Sequence, residues 1–242
     1  MPERPDRPAR AHRVRQAARA AWGAVAGLVY PDLCLGCDGR LPPADGETAA
    51  MPLCPTCLRE LPRADDATPL LAPHGAPVTS AVALWRFDAG GTVRRVQHAL
   101  KYGGRPALGR PLGVLVGRAV AAAGVAADLV VPVPLSRVRH LERGYNQAMS
   151  LAEGAAAALG ASVDPEALVR TRATVSQTRL ARAERAANVA GAFRAPHPER
   201  LAGRRVLLVD DVLTTGATLA EAARALADAG AVVSVAALAV AE

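Results

Sequence analysis

The segment Val206 to Thr218, VLLVDDVLTTGAT, constrains this chain more than any other. Val206 to Val209 are four consecutive aliphatics behind Arg204 and Arg205, the pattern of a strand buried on both faces in the middle of a parallel sheet. Asp210 and Asp211 follow at its carboxyl end, where open α/β sheets place their ligands. Then Thr214, Thr215, Gly216, Ala217 and Thr218 put hydroxyls around one glycine at the start of a helix that runs on through Leu219, Ala220 and Glu221. Free backbone N–H groups at a helix start, aided by the dipole, favour a phosphate, and Gly216 lets the backbone approach closely. Adjacent carboxylates repel phosphate but accept hydrogen bonds from the two cis hydroxyls of a ribose. Taken singly, paired aspartates are commonly solvated and a Thr-Thr-Gly run is commonly a helix cap. In this order, one ligand satisfies both halves: a ribose 5-phosphate. A Walker loop is excluded, because no Gly-Lys-Thr or Gly-Lys-Ser occurs in the chain.

Around this segment the apolar pattern alternates. It predicts strands at Val78 to Phe87, Leu129 to Pro132, Arg205 to Val209 and Val232 to Ala239, with a strand or turn near Leu168. Helices are expected at Thr92 to Leu100, Leu108 to Ala123, Asn146 to Leu159, Ala181 to Val189 and Ala217 to Ala229. Strand and helix in alternation imply an α/β fold, a mostly parallel sheet with helices on both faces. Only 3% of residues are aromatic while 51% are hydrophobic, so a core of small aliphatics is expected and a surface of stacked rings for bases is disfavoured.

The N-terminal third reads differently. Residues 1–30 are a basic, Pro- and Arg-rich arm followed by an amphipathic helix over Val14 to Val29. Arg19 interrupts that apolar stretch, which argues against a signal peptide, and no run reaches the roughly 18 residues of a membrane span. Residues 31–64 hold all four cysteines, Cys34-x-x-Cys37 and Cys54-x-x-Cys57, sixteen residues apart. That spacing suits a structural four-cysteine zinc site in a reducing, cytoplasmic setting, and the module has too few apolar residues for a core of its own. Residues 65–77 read as a linker, and 78–242 as the larger domain. His74 and His98 read as incidental to the metal.

The net charge of +7 is carried almost wholly by arginine, since Lys101 is the only lysine. A compact ammonium retained in such a chain marks Lys101 as a candidate. Arg137 and Arg143, with Arg139 and His140, lie in a basic stretch, 130–143, read as a loop following a predicted strand, where forked cations suit a diphosphate.

The 206–218 segment resembles the phosphoribosyl pyrophosphate (PRPP) signature of type I phosphoribosyltransferases. Together with the cysteine pairs, Leu100-Lys101-Tyr102-Gly103-Gly104, Arg143-Gly144-Tyr145-Asn146-Gln147, and Gln177 with Glu184 to Val189, the chain resembles the ComF family of competence-associated proteins over about residues 31–240. The resemblance implies a type I phosphoribosyltransferase fold behind a small zinc-ribbon module, with a link to natural DNA uptake. It implies PRPP binding by Asp210, Asp211, Thr214, Thr215, Gly216, Ala217, Thr218, Arg137 and Asn188, with Mg2+ accompanying the diphosphate. Lys101, Arg143, Arg172, Gln177 and Arg185 are the catalytic candidates, the last three on a stretch, 170–188, that resembles the family's mobile catalytic loop. One departure matters. Where purine-salvage enzymes of this superfamily keep an acidic base, this chain has Thr214, so purine salvage is not expected.

Two functions stay open at this level. The first is an enzyme that transfers the phosphoribosyl group to an unknown acceptor. The second is an accessory protein that senses nucleotides or works with single-stranded DNA and uptake proteins.

Overall fold

The structure, a computed structural model, describes residues 32–42, 51–64, 66–88, 90–102, 106–172 and 189–241. The N-terminal arm and helix, Gly103 and Gly104, the helix expected to begin at Ala181, and Gln177, Arg185 and Asn188 lie outside the described residues.

Five strands form one all-parallel sheet: β1 (Val78–Arg86), β2 (Leu129–Pro132), β3 (Ser162–Val163), β6 (Arg205–Leu213) and β7 (Val232–Val240), in the order β1-β7-β6-β2-β3. A separate antiparallel pair, β4 (Val169–Arg170) and β5 (Phe193–Arg194), lies outside it. The other expected strands and helices are present with their ends moved by no more than four residues, and Leu129–Pro132 is found as expected. The largest extension is functional: β6 does not stop at Val209 but pairs with β7 as far as Leu213↔Val240. On its other side pairing ends at Pro132↔Val209. The acids therefore sit where one neighbour stops and the other continues, so the sheet itself opens a crevice beside them.

The helices divide between the two faces. On one, α2 (Thr92–Tyr102), α3 (Gly109–Ala122) and α5 (Gln147–Leu159) bury Val93, Val96, Leu112, Val116 and Leu151 against Val130, Leu207, Val209 and Leu238. On the other, α6 (Ala217–Asp228) buries Leu219, Ala223 and Leu226 against Val131, Leu208 and Val235. Helices α3 and α5 meet almost backbone to backbone. A Cβ on Gly113 would stand 2.1 Å from the Leu151 carbonyl oxygen, and one on Gly154 2.1 Å from that of Arg110.

Two expectations are revised. The basic stretch read as a loop contains a helix, α4 (Arg137–Arg143), capped by Ser136, whose Oγ accepts the Arg139 N–H at 3.4 Å, and closed by Gly144 with φ 76°. The residues read as a linker are packed rather than free. Ala67 donates a backbone hydrogen bond to Ala81 of the edge strand β1, and Leu71 is fully buried among the side chains under α6. The cysteine module has no separate core, as its composition requires, because Cys34, Leu53 and Leu61 join the cluster that contains Trp85 and Val93.

Candidate functional site

The crevice beside β6 is a cavity of about 310 Å³, lined by Lys101 and Gln97 from α2, Arg139 from α4, Gln147 from α5, Arg170 from β4, and Asp210, Asp211, Thr214, Gly216 and Thr218. Successive residues of a strand face opposite sides, and the two acids differ accordingly. Asp211 is 5% exposed. Its Oδ2 lies 2.7 Å from Lys101 Nζ and accepts from Gln97 Nε2 at 3.2 Å, while its Oδ1 accepts from Gln147 Nε2 at 3.2 Å. Burial opposes its charge, yet the Lys101 ammonium foremost, with hydrogen bonds from Gln147 and Asp210, holds its carboxyl below the ordinary carboxylate range. Asp210 has no such cation in contact among the described residues: its Oδ1 accepts the Asp211 N–H at 2.8 Å. Burial first, and then the Asp211 charge, push its carboxyl up to about 8.

Beyond the acids the strand turns at Gly216, whose φ of 81° an L side chain rarely adopts. Helix α6 begins there with no side-chain cap. Its first-turn amides are left for something else to accept. Arg139 and Arg170 line the same cavity. Burial foremost, and the Arg139 charge with it, press the Arg170 pKa down, the sign of a guanidinium out of water. Arg170 also lies over the Phe193 ring at 5.1 Å. One cavity thus joins an acid pair, Asp211 buried and Asp210 half-buried, an uncapped helix start and three cationic side chains, an arrangement able to take a sugar hydroxyl pair and anionic groups.

Of the residues singled out from sequence, Lys101, Asp210, Asp211, Thr214, Gly216 and Thr218 are brought together here. Thr215 turns its carbonyl away to His74 Nε2, at 2.5 Å, and Ala217 is buried under the helix. Arg137 is exposed on α4 and does not line the cavity. Arg143 packs its guanidinium over Tyr102, 5.5 Å from the ring centre, and Arg172 donates to the Ala190 carbonyl at 2.7 Å. Neither lines the cavity. Sequence reading passes over Gln97 and Arg170 as site residues, and counts Arg139 and Gln147 only as members of the basic stretch 130–143 and of the Arg143–Gln147 motif. Gln97 sits four residues before Lys101, one helical turn away on the same face, and Gln147 ends the Arg143–Gln147 motif. Those two signals are legible. Arg139 is one arginine among several in an unrecognised helix, and Arg170 becomes part of the site only through the β4–β5 pairing.

At the other end of the chain, Cys34, Cys37, Cys54 and Cys57 bring their sulfurs within 4.8 Å of one another. A tetrahedral ion bound at about 2.3 Å needs sulfurs about 3.8 Å apart, and Cys37 Sγ stands 3.9 Å from Cys54 Sγ. Cys34 Sγ accepts backbone N–H groups from Gly36 at 3.3 Å and Cys54 at 3.2 Å, and Cys54 Sγ caps α1 (Pro55–Glu60) by accepting from Cys57 N at 3.5 Å. Amide donors of this kind favour thiolates. The four cysteines could hold a metal such as zinc. Among the described residues no helix is long and apolar enough to cross a membrane.

Comparison with known proteins agrees with this geometry. Residues 112–241 match the family model described as the phosphoribosyl transferase domain. Over 104 residues the chain is 43% identical to the DNA utilization protein YhgH of Escherichia coli (strain K12), a match that covers 43% of this chain and 45% of that protein. It is 36% identical over 104 residues, with the same coverage, to Competence protein F of Haemophilus influenzae (strain ATCC 51907 / DSM 11121 / KW20 / Rd). The matches span less than half the length of these relatives. Among solved structures, the glutamine phosphoribosylpyrophosphate (PRPP) amidotransferase from B. subtilis aligns at 25% identity and a TM-score of 0.40 over 58% of this chain and 30% of that one. With the family model covering just over half of the chain, this protein belongs to the phosphoribosyl transferase domain family, and the relatives above support a ComF-family protein.

Proposed function

We propose that the cavity holds the ribose 5-phosphate part of PRPP or of a nucleoside 5′-phosphate, and that the protein transfers the phosphoribosyl group to an acceptor with release of pyrophosphate. The observation that carries this reading is the acid pair set before an uncapped helix start, within one cavity that Arg139 and Arg170 also line. The phosphate is taken by the first-turn amides of α6 with Thr214, Thr215 and Thr218, across Gly216 and Ala217. Asp210 and Asp211 accept from the ribose hydroxyls. The pyrophosphate faces Arg139 and Arg170, with Arg137 and Arg143 on the adjoining helix.

In the transfer, the bond from the anomeric carbon to the pyrophosphate oxygen breaks, its electron pair leaves with pyrophosphate, and a bond from the acceptor forms at that carbon. Cations near the leaving group stabilise the charge as it develops, so positioning and electrostatics do most of the work. Mg2+ fits as an ion arriving with the diphosphate rather than one held by Asp211, whose charge is already met by the Lys101 ammonium. Lys101 is in that arrangement the counter-charge of the site. Arg172, Gln177, Arg185 and Asn188 remain candidates for covering the substrate. Replacing both Asp210 and Asp211 by Asn is expected to abolish magnesium-dependent pyrophosphate release from PRPP. Release at the parent rate would overturn the reading. The four thiolates are assigned to a structural zinc, which suits the cytoplasm, where thiols stay reduced.

A second reading is favoured by the relatives named for competence and DNA utilization: an accessory protein that binds single-stranded DNA, or partners in its uptake, and uses the phosphoribosyl site for sensing. Binding through several arginines must weaken steeply with salt. A gel-shift titration that finds no complex even at low salt removes it.

A further inference from the structure

His74 lies in the short turns over residues 66–75, well before residues 112–241 that match the family model, and it does not line the cavity. Its Nε2 nevertheless lies 2.5 Å from the Thr215 carbonyl oxygen. A carbonyl only accepts, so Nε2 carries the proton and donates. The same segment presses on the next residue: a Cβ on Gly216 would stand 2.6 Å from the Leu70 carbonyl oxygen and 3.3 Å from the His74 ring. His74 is itself held, since Arg224 of α6 donates to its backbone carbonyl at 2.9 Å and pairs through its other nitrogen with Glu221. Glu221 Oε1 accepts the Gly191 N–H at 2.7 Å.

We infer that His74 is a positioning residue of the phosphate loop, and that it works through the peptide joining Thr215 to Gly216. In a trans peptide the C=O and N–H point in opposite directions. Anchoring the Thr215 oxygen outward on His74 therefore turns the Gly216 N–H inward, toward the cavity that Gly216 lines. A glycine in the left-handed region is the residue whose flanking peptides turn over most cheaply, so without an anchor this N–H is free to point elsewhere. Arg224 and Glu221 hold the anchor in register with the helix that supplies the remaining amides. The segment joining the cysteine module to the sheet is on this account part of the anion site, acting from behind it.

The ligand side of this inference rests on the proposed ribose 5-phosphate site; the loop side does not. Both are tested on the full-length, metal-loaded protein with His74→Ala and His74→Gln, the latter placing an N–H close to Nε2. Hydrogen exchange of the amides of residues 216–219 in ligand-free protein is expected to speed up about tenfold in His74→Ala, the loss of one hydrogen bond, with β6 unchanged and His74→Gln near the parent. By calorimetry, His74→Ala is expected to bind ribose 5-phosphate about tenfold more weakly, with magnesium pyrophosphate unchanged within about twofold and partial recovery in His74→Gln. Unchanged exchange in His74→Ala, or equal loss of both ligands in both variants, overturns the inference. Altered exchange in a protein whose parent binds neither ligand leaves the positioning intact and removes the ligand assignment instead.

Discussion

The only lysine of the chain, Lys101, places its ammonium 2.7 Å from the Asp211 carboxylate, and both side chains are largely out of water, 20% and 7% exposed. A guanidinium has the same charge but a wider fork, whereas a point charge on a flexible stem fits beside two glutamine amides that use the same carboxylate. That gives a physical reason for a lysine in a protein otherwise supplied with arginine. Removing it strands a buried carboxylate, which costs about 3 kcal/mol at the low end of such deletions. Lys101→Met is therefore expected to lower Tm at pH 7 by about 6 to 12 °C. Because Asp211 is held below its unfolded pKa, the contribution is present above about pH 4 and lost as the pH falls further. Thermal melts of the two proteins should converge in acid; a constant gap contradicts the ion pair as the cause.

Asp210 has the opposite sign. Burial pushes its carboxyl up to about 8, above an unfolded value of about 3.9, so the folded state favours the protonated form. Its contribution is intact below about pH 4 and is lost as the pH rises toward 8. Asp210→Asn cannot ionise in either state. The ligand-free variant is expected to match the parent near pH 4 and to melt several degrees higher at pH 8, while binding of PRPP is lost. A site residue whose removal stabilises the fold is a common trade between stability and function. Parallel Tm curves for parent and variant across that range count against it.

The seam between α3 and α5 positions Gln147, which holds Asp211 from below. Gly113→Ala would drive a methyl to 2.1 Å from the Leu151 carbonyl oxygen, a backbone atom that cannot rotate away. The helices must separate, at a cost of about 3 kcal/mol or more. Urea unfolding is expected to show that loss, and ligand affinity should fall as well because α5 carries Gln147 with it. Unfolding midpoints equal within error would mean that the helices are not packed this closely.

The parallel sheet is legible in the sequence because its central strands are unbroken aliphatic runs, and the anion side of the site because hydroxyls and glycine must be contiguous to make a helix start. The cavity's arginines are legible only as a basic stretch, not as particular residues. Arg139 and Arg170 reach the cavity from elements set by tertiary pairing, a seven-residue helix and a two-residue strand, too short to impose a period on the sequence. The packed stretch 66–76 reads as a linker because Pro, Gly and Ala dominate it, and a 3-10 turn offers no apolar repeat to read. His74, incidental by its sequence context, lies 141 positions from its partner Thr215. No local pattern reports such a contact.

The cysteine module supplies the last prediction. The Cys57 thiol is pushed up to about 12, chiefly by its hydrogen bond with Cys54, while Cys34 is held down at about 6 against its burial by the amides of Cys54, Cys37 and Gly36. A metal must therefore displace protons to bind, and apparent zinc affinity should rise by about tenfold per pH unit for each proton released. Titrating zinc into chelator-treated protein in weak buffer is expected to acidify the solution. The same titration should raise Tm of the whole protein, because Cys34, Leu53 and Leu61 share a core with Trp85 and Val93 of the sheet domain and a ligand of the folded state alone must stabilise it. Gly36→Ala sharpens the test. Its methyl would stand 2.6 Å from Cys57 Sγ, so the variant should bind zinc more weakly at every pH, and equal affinity would show that the four sulfurs do not converge on one ion.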